Sequence, residues 1–411
     1  MLNKGEVMKK IKIFKKKLIV RKIYIFLKVI TMSVLSIFFK LMPIDNTKIV
    51  ICSYYGKSFG DNPKYIVKEL LKQEKKKRIV WLVKNIEEVR DEFPKEVILS
   101  KYSLINTVYH LSTAKVWIDN CRKHYWSLKR KNQIYIQTWH GNITFKNIEK
   151  SAQDVLSYNY LYEAKNDSKM ADVFISSSDF TNDLYRRDFW YQGEILKVGS
   201  PRNDIIVLQD SYMKDMVREY FSIDKEKKIC LYAPTFRVDG SLGAYNIDYS
   251  NLKIKLEEKF KGEWIILIRL HPNISYKSDK IIKYNKDILN ATYYPDMQEL
   301  LVAADVLITD YSSSIFDYAI SRKPAFIYAS DINQYLEDRS FTIKLTDTPF
   351  SIATNNLELN KIIENFNLST YTINLEKFYN ELGLIENGNA SKEIVNYIQK
   401  VMEKRNEDIK R

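Results

Sequence analysis

One histidine stands where a strand-like run ends, a position suited to proton transfer. His140 follows the alternating run Ile136–Thr138 and lies between Trp139 and Gly141. An imidazole titrates near neutral pH, so at such a position it can accept the proton of an attacking hydroxyl. The glycine next to it would let backbone approach a ligand closely. A histidine that only makes hydrogen bonds within a loop is an equally common outcome.

Two further segments place anion-binding groups after strand-like runs. Arg269 lies near the end of the run Trp264–Leu270, and His271 directly follows that run. The two-residue period of a strand puts both side chains on one face, where they can converge on an anion. The run Val306–Thr309 leads into the turn Ser312–Ser314 and a new helical pattern. Free N–H groups and the positive end of a helix favour phosphate there. The alternative is that these serines only cap the helix.

A fourth segment has the same character. Thr235 and Arg237 follow the strand-like run Ile229–Ala233 and supply a hydroxyl and a guanidinium. The four segments divide between the two halves of the chain. Together they predict a cleft that handles phosphate groups.

Several other classes of site lack their residues. The chain contains no Gly-rich nucleotide motif, no H-E-x-x-H, no Asp-x-Asp and no G-x-S-x-G, and its three cysteines are far apart. We therefore predict no protein-held metal and no required cofactor. The cleft must neutralise a pyrophosphate with Arg, Lys, His and helix N-termini, and a loosely held Mg²⁺ remains open.

The elements around these segments alternate between strand and helix, which predicts parallel sheets covered by helices. Strands are predicted at Ile49–Tyr54, Ile79–Val83, Val116–Asp119, Ile134–Thr138, Val173–Ser177, Ile229–Ala233, Trp264–Leu270, Val306–Thr309 and Ala325–Tyr328. We expect an α/β protein of two Rossmann-like domains, 46–210 and 227–390, facing a cleft. A linker at 211–226 and a C-terminal helix at 391–411 complete it.

The net charge of +14 is concentrated at the N terminus. Residues 1–40 hold eleven Lys or Arg and one acid, Glu6, so ten of the fourteen net charges lie there. A basic tail beside an apolar run favours an anionic membrane surface over nucleic acid. Segment 1–45 is predicted to associate with a membrane. A spanning helix, an in-plane helix and a soluble packing helix remain open.

Five ordered motifs carry a resemblance to a known family. They are Gln137–Gly141, Gly199–Asp204, Tyr232–Arg237, Arg269–Pro272, and Thr309–Ser313 continued by Phe316–Tyr318. Residues 48 to 390 thereby resemble the CDP-glycerol glycerophosphotransferases, the teichoic-acid primases and polymerases of bacterial envelopes. The resemblance implies a GT-B-like fold and peripheral attachment to the cytoplasmic face of the cell membrane. It also implies CDP-glycerol or a related CDP-polyol as donor in the second domain, and a lipid-linked acceptor in the first.

The resemblance also implies roles for residues. His140 would be the base, and His271 with Arg269 would hold the pyrophosphate and stabilise the departing CMP. The other donor-binding residues would be Thr235, Arg237, Thr309, Asp310, Ser312, Ser313, Ser314 and Asp317. Acceptor or cleft residues would be Trp139, Gly141, Arg202, Asn203 and Asp204. Asp310 and Asp317 have loop ordering, ribose contact or helix capping as alternatives. The run Asn142–Lys146 departs from the family pattern, which bears on the identity of the acceptor.

Two other functions remain open from the sequence. A GT-B glycosyltransferase that uses a nucleotide sugar would show the same phosphate-binding cleft. A non-catalytic, membrane-tethered binding protein would share the basic N terminus. Glycerol or ribitol as the polyol, one addition or many, and the oligomeric state also stay open.

Overall fold

A computed structural model describes residues 27, 30–32, 34–74, 77–237, 245–271, 274, 278, 282–332 and 341–410. Within them lie two fully parallel sheets. The first has strands β1 (Asp45–Cys52), β2 (Arg78–Val83), β3 (Ile98–Lys101), β4 (Ala114–Asp119), β5 (Ile134–Gln137), β6 (Val173–Ser176) and β7 (Glu194–Lys197). The second has β8 (Lys228–Tyr232), β9 (Trp264–Ile268), β10 (Ile288–Asn290), β11 (Val306–Thr309), β12 (Ala325–Tyr328) and β13 (Ser351–Ala353).

Both sheets have the doubly wound strand order. The first runs β3-β2-β1-β4-β5-β6-β7, and the second runs β10-β9-β8-β11-β12-β13. In each sheet the first strand lies in the interior. The next two strands extend the sheet to one edge, and the remaining strands extend it to the other edge. The predicted pair of parallel-sheet α/β domains is therefore confirmed. The carboxyl ends of the central strands in such sheets are where ligands bind.

Helices connect the strands. They are α1 (Asp61–Leu70), α2 (Ile86–Val89), α3 (Leu104–Thr113), α4 (Tyr158–Met170), α5 (Asp179–Asp188), α6 (Asp204–Val207), α7 (Ser211–Tyr220), α8 (Tyr249–Phe260), α9 (Met297–Ala303), α10 (Ser314–Ala319), α11 (Asn356–Glu364), α12 (Leu368–Glu381) and α13 (Ala390–Lys410). Side chains of β1 alternate between the two faces of the sheet: Ile49 and Ile51 pack on one core, Val50 and Cys52 on the other. Burial on both faces explains the nearly continuous apolar runs.

Four strands have no counterpart among the predicted ones. They are β3, β7, β10 and β13, and each is the outermost strand of its sheet. Edge strands are only partly covered, and all four contain half-exposed residues. They therefore lack the apolar run that marks an interior strand.

The two domains are joined by a buried ion pair. Lys64 on α1 contacts Asp296 at 2.6 Å and Glu299 at 2.7 Å, and the hydroxyl of Tyr65 donates to Asp296 at 3.1 Å. Asp296 also caps α9 through the amide of Gln298. Helix α1 of the first domain and helix α9 of the second are therefore in direct contact.

The chain crosses between the domains twice, at neighbouring places. The outgoing connection passes through Asp204, whose carboxylate accepts hydrogen bonds from the amides of Ala390 and Ser391 at 2.9 and 2.8 Å. The returning connection leads into α13, which packs on the first sheet through Ile394 and Ile398. Helix α7, in the segment predicted as the linker, contributes its buried side chains to the core of the second domain.

Residues 30–32 and 34–40 are helical and lie on the first domain. Met32 is buried against Trp126 and Val108. The opposite side of this N-terminal helix exposes a stripe of apolar side chains. They are Leu27, Ile30, Val34, Ile37, Phe38 and Leu41. None of the helices in the described ranges has the length and hydropathy needed to cross a bilayer. Most of the predicted membrane-associating segment 1–45 falls outside the described residues.

Candidate active site

The first half of the site is the loop that follows β5. Trp139 takes a left-handed conformation (φ 52°), and its amide donates to the side chain of Gln137 at 2.9 Å. This turn brings the ring of His140 onto the indole of Trp139, with 4.2 Å between centroids. A Cβ placed on Gly141 would meet no heavy atom of the described residues within 4 Å. Space is therefore open beside His140.

The hydrogen bonds of His140 define which ring nitrogen can react. Its Nδ1 lies 2.6 Å from the backbone oxygen of Asn120, at the end of β4. A carbonyl only accepts, so Nδ1 carries the proton and Nε2 of the neutral ring has a free lone pair. Burial lowers the pKa of His140 below its ordinary value, and the nearby Arg202 lowers it further against the opposing effects of Asn120 and Asp61. His140 therefore has the tautomer and charge of a general base.

Arg202 connects this loop to the second domain. Its guanidinium donates to the backbone oxygen of His140 at 2.7 Å and pairs with Asp61 at 3.3 Å and with Asp317 of α10 at 2.8 Å. All three side chains are buried. Burial alone would lower the pKa of Arg202, but the carboxylates of Asp317 and Asp61 raise it. A predicted acceptor residue and a predicted donor residue are thus direct partners.

Asn203 and Asp204 lie in the same framework. The amide of Asn203 donates to Asp317 and to Glu386, both at 3.1 Å. Burial raises the pKa of Glu386 to about 7, although Ser200 and Asn203 donate hydrogen bonds to it. Asp204 caps α13 by accepting hydrogen bonds from the amides of Ala390 and Ser391. Their predicted part in acceptor binding stays a prediction.

The loop after β8 is tied to the loops after β11 and β12. Thr235 donates its amide to Asp310 at 2.9 Å and its hydroxyl at 3.0 Å. Arg237 pairs with Asp310 at 2.8 Å and with Asp331. Its guanidinium is therefore engaged by two carboxylates in this arrangement, which orders the three loops. Direct contact of Arg237 with phosphate stays a prediction.

A cationic region lies at the end of β9. Arg269 is largely buried, and its guanidinium donates to the backbone oxygen of Tyr294. The protein around the ring of His271 partly removes its water and lowers its pKa, and the positive charges of Lys146, Lys57 and Arg269 lower it further. Lys57 and Lys146 belong to the first domain, so cations from both domains meet here. Such a region suits a diphosphate.

The serine turn lies at the end of β11, the neighbour of β8. Ser312 and Ser314 share a hydrogen bond of 2.8 Å between their hydroxyls, and all three serines are partly exposed. Thr309 is buried and donates to the backbone oxygen of Ala233 at 2.6 Å. The structure thus gives Thr309 a scaffold contact and leaves the serine hydroxyls at the surface.

The segment that departs from the family pattern enters the second domain. Phe145 is buried against Phe316 of α10, with 4.6 Å between ring centroids, and its backbone oxygen accepts from the amide of Thr342 at 2.7 Å. The chain just beyond His140 is therefore held by the helix that follows the serine turn. Position alone in the sequence gave no sign of this contact.

Sequence reasoning missed four residues around His140 and His271. They are Tyr54, Lys57, Asp61 and Asn120. Tyr54 lies 5.6 Å from His140 between ring centroids, and its hydroxyl bonds to Asp61. Tyr54, Lys57 and Asp61 follow β1. The end of this predicted strand was a signal that could have identified them as candidate site residues. Across the described ranges, no group of three His, Cys, Asp or Glu side chains is arranged to hold a metal ion.

Comparison with known proteins points in one direction. Residues 34–400 match the family model described as CDP-glycerol:poly(glycerophosphate) glycerophosphotransferase. A teichoic acid poly(glycerol phosphate) polymerase of Staphylococcus epidermidis is 32% identical over 376 residues, which are 87% of this chain and 51% of that protein. The chain thus spans about half the length of this relative. The protein of the same description from Bacillus spizizenii is 30% identical, and the match covers 86% of this chain and 92% of that protein.

A solved structure agrees with these relatives. A variant of the wall teichoic acid polymerase TagF soaked with CDPG superposes with a TM-score of 0.81 and is 29% identical. The match covers 96% of this chain and 99% of that one. The two chains therefore share the same overall fold.

Proposed function

The chain belongs to the CDP-glycerol:poly(glycerophosphate) glycerophosphotransferase family, and from that premise we propose that it transfers glycerol phosphate from CDP-glycerol to an acceptor hydroxyl and releases CMP. This step would serve the synthesis of a teichoic-acid-type polymer of the cell envelope, by one addition or by many. The observation that carries this proposal is the position of His140. Its imidazole presents an unprotonated Nε2 beside open space, and Tyr54, whose ring faces it, also interacts with Arg269 of the cationic region.

The proposed step is a displacement at phosphorus. The acceptor oxygen bonds to the phosphorus that carries glycerol, the bond from that phosphorus to the CMP oxygen breaks, and His140 Nε2 takes the hydroxyl proton. CMP leaves with the bonding electron pair. Reactions of this kind depend chiefly on positioning and on neutralising charge.

We assign neutralisation of the donor's diphosphate charge to residues of the second domain and to the lysines of the first domain that face them. Arg269 and His271, with Lys57 and Lys146 facing them, would surround the diphosphate of the donor. The partly exposed hydroxyls of the Ser312–Ser314 turn would add hydrogen bonds to its oxygens. Mg²⁺, if used, would be held loosely by the substrate phosphates. Asp310 would act by ordering Thr235 and Arg237.

The test is a nucleotide-release assay. Purified protein is incubated with a membrane extract as acceptor and with CDP-glycerol, CDP-ribitol or UDP-sugars in turn. We expect CMP from CDP-glycerol and much slower release from the others, since a pocket that fits one polyol rejects another by roughly 10-fold or more. Mass spectrometry of the lipid product then gives the polyol and the number of units.

Two results would contradict the proposal. Release of UDP from a nucleotide sugar, without CMP from CDP-glycerol, would identify a glycosyltransferase. Tight binding of CDP-glycerol without any release would identify a binding protein.

We also propose that the N-terminal helix attaches the protein peripherally to the cytoplasmic face of the membrane, where a lipid-linked acceptor would be reached. Support comes from its exposed stripe, in which Val34 is 59% exposed and Phe38 61%. The other side of the helix is fixed to the first domain by Met32. An apolar stripe next to a basic segment is typical of a helix that lies in the headgroup region.

Charged residues in this stripe are expected to abolish attachment. The double variant Val34→Asp, Phe38→Asp should reduce binding to vesicles containing an anionic phospholipid by at least about 10-fold, because two buried apolar groups are lost from the lipid. Sedimentation with the vesicles measures this. Ile373→Asp is the matched control, since Ile373 is 66% exposed on α12 of the other domain. Equal binding by the double variant and the control would reject this attachment site.

A further inference from the structure

A row of aromatic rings leads from the N-terminal helix to His140. Trp126, which packs on Met32, stacks on His124 with 5.2 Å between centroids. His124 lies 6.1 Å from Tyr55. Tyr54, the residue before Tyr55, faces His140 at 5.6 Å between ring centroids. Rings from three loops of the first domain therefore follow one another, and the backbone between Tyr54 and Tyr55 connects the two ring contacts.

The two tyrosines sit on an unusual piece of backbone. Tyr54 and Tyr55 have positive φ angles of 46° and 56°, and Gly56 follows at 78°. A left-handed conformation at a residue with a side chain costs about 1–3 kcal/mol, and such residues cluster at functional sites. Left-handed backbone at Tyr54 and Tyr55 turns one ring toward His140 and the other toward His124.

The surrounding structure holds this loop in place. The amide of Tyr54 donates to the side-chain oxygen of Asn120 at 2.9 Å, and the backbone oxygen of Gly56 accepts from Lys84 at 2.8 Å. A Cβ on Gly56 would approach Cβ of Tyr102 to 3.0 Å. Asn120 is also the residue whose carbonyl fixes His140, so the base and the loop share one support.

The rings are accessible and carry polar partners. The side chain of His124 is 33% exposed, and its Nδ1 lies 2.9 Å from Glu163 on α4. Tyr54 and Tyr55 are also partly exposed, whereas Trp126 is buried and backs the row. Aromatic faces with a few polar groups beside them are typical of sites for small polar molecules with apolar faces.

We propose that Tyr54, Tyr55 and His124, backed by Trp126, form the binding track for the polyhydroxylated head group of the acceptor. This inference rests on the proposed function. One end of the row is His140, which takes the proton of the acceptor hydroxyl. The other end is the helix whose outward stripe would meet the bilayer. A lipid-linked acceptor has to span the same distance, with its lipid at the helix and its terminal hydroxyl at His140.

The occupant is therefore the acceptor and not the donor. The donor diphosphate is assigned to the cationic region at the ends of β9 and β11, which are strands of the second domain, whereas every ring of the row belongs to the first domain. Carbon-bound hydrogens of a polyol or sugar would pack on the rings of Tyr54 and Tyr55. Hydroxyl and phosphate oxygens would meet the imidazole of His124.

Acceptor kinetics test the track. Full-length protein is assayed with saturating CDP-glycerol and either free tri(glycerol phosphate) or the same trimer attached to a lipid. Tyr55→Ala is expected to raise KM for both acceptors by about 10-fold, because the head group loses one ring. The Kd of CDP-glycerol, measured by calorimetry, should stay the same. Tyr55→Phe keeps the ring and should keep KM within about threefold.

Further variants separate the possible outcomes. Tyr212→Ala, an exposed tyrosine on α7, should change no constant. Val34→Asp, Phe38→Asp should raise KM only for the lipid-bearing trimer. If Tyr55→Ala does not fold, His124→Ala replaces it with the same expectation. An unchanged KM for the free trimer would overturn the track. Absence of CMP release by the unaltered chain would instead contradict the proposed function.

Discussion

Replacement of His140 by alanine is expected to lower kcat by about 10²- to 10⁴-fold, the usual contribution of a positioned general base. The reason is the loss of Nε2, whose lone pair is kept free by the hydrogen bond from Nδ1 to Asn120. CMP release under saturating donor and acceptor measures the effect. A variant with near-normal release would remove His140 from the role of base.

His140→Asn is the matched variant. Its side-chain amide can still donate to the backbone oxygen of Asn120, but it cannot accept a proton from a hydroxyl. We expect it to be as slow as His140→Ala, with a Kd for CDP-glycerol within about threefold of the original. Recovery of activity in His140→Asn would show that the histidine only holds the loop.

The pH dependence of kcat is a second test of His140 as the general base. Burial lowers the pKa of His140 below its ordinary value of 6.5. The active form is the unprotonated one, so kcat should be level around neutral pH and fall as the pH drops through that lowered pKa. The residual activity of His140→Ala should lack this acid limb.

Replacement of Arg202 by methionine is expected to lower the free energy of unfolding by about 3–5 kcal/mol. The substitution leaves the buried carboxylates of Asp61 and Asp317 without their cation and removes the hydrogen bond to the backbone oxygen of His140. Unfolding in urea, followed by tryptophan fluorescence, measures the loss. Catalysis should fall as well, because the loop of His140 loses its link to α10.

Arg322→Ala is the control for this experiment. Arg322 and its partner Glu376 are both more than half exposed, and such a pair contributes about 0–1 kcal/mol. Adding Asp317→Asn to Arg202→Met should recover part of the loss, since one buried charge is removed. Similar stabilities of Arg202→Met and Arg322→Ala would mean that the buried network contributes little.

Interior strands were predictable because burial on both faces imposes a run of apolar residues. The run Trp264–Ile268 of β9 is an example. Edge strands such as β3 and β13 are covered on one side only, so their composition resembles that of loops. The parallel direction of the strands, in contrast, followed from the alternation of strands and helices.

Part of the candidate site was predictable once the interior strands had been located. His140, Arg269 and the serine turn follow strands, and strand ends meet at one edge of a parallel sheet. Their partners were not predictable. Asn120 acts on His140 through a backbone carbonyl, which no side-chain pattern reveals. The pairing of Arg202 with Asp317 joins residues more than a hundred positions apart, from elements of different domains.

The side-by-side crossings near Asp204 and Ala390 have a mechanical consequence. Gly388 of the returning connection lies against Leu208 of the outgoing one, so both covalent links pass through one small region. Such a pair of links would act as a pivot between the domains once the buried ion pairs of Lys64 and Arg202 had opened. The N-terminal helix and α13 both pack on the first domain. If the N-terminal helix attaches to a membrane as proposed, the domain that carries His140 would remain anchored and the second domain would be the one that moves.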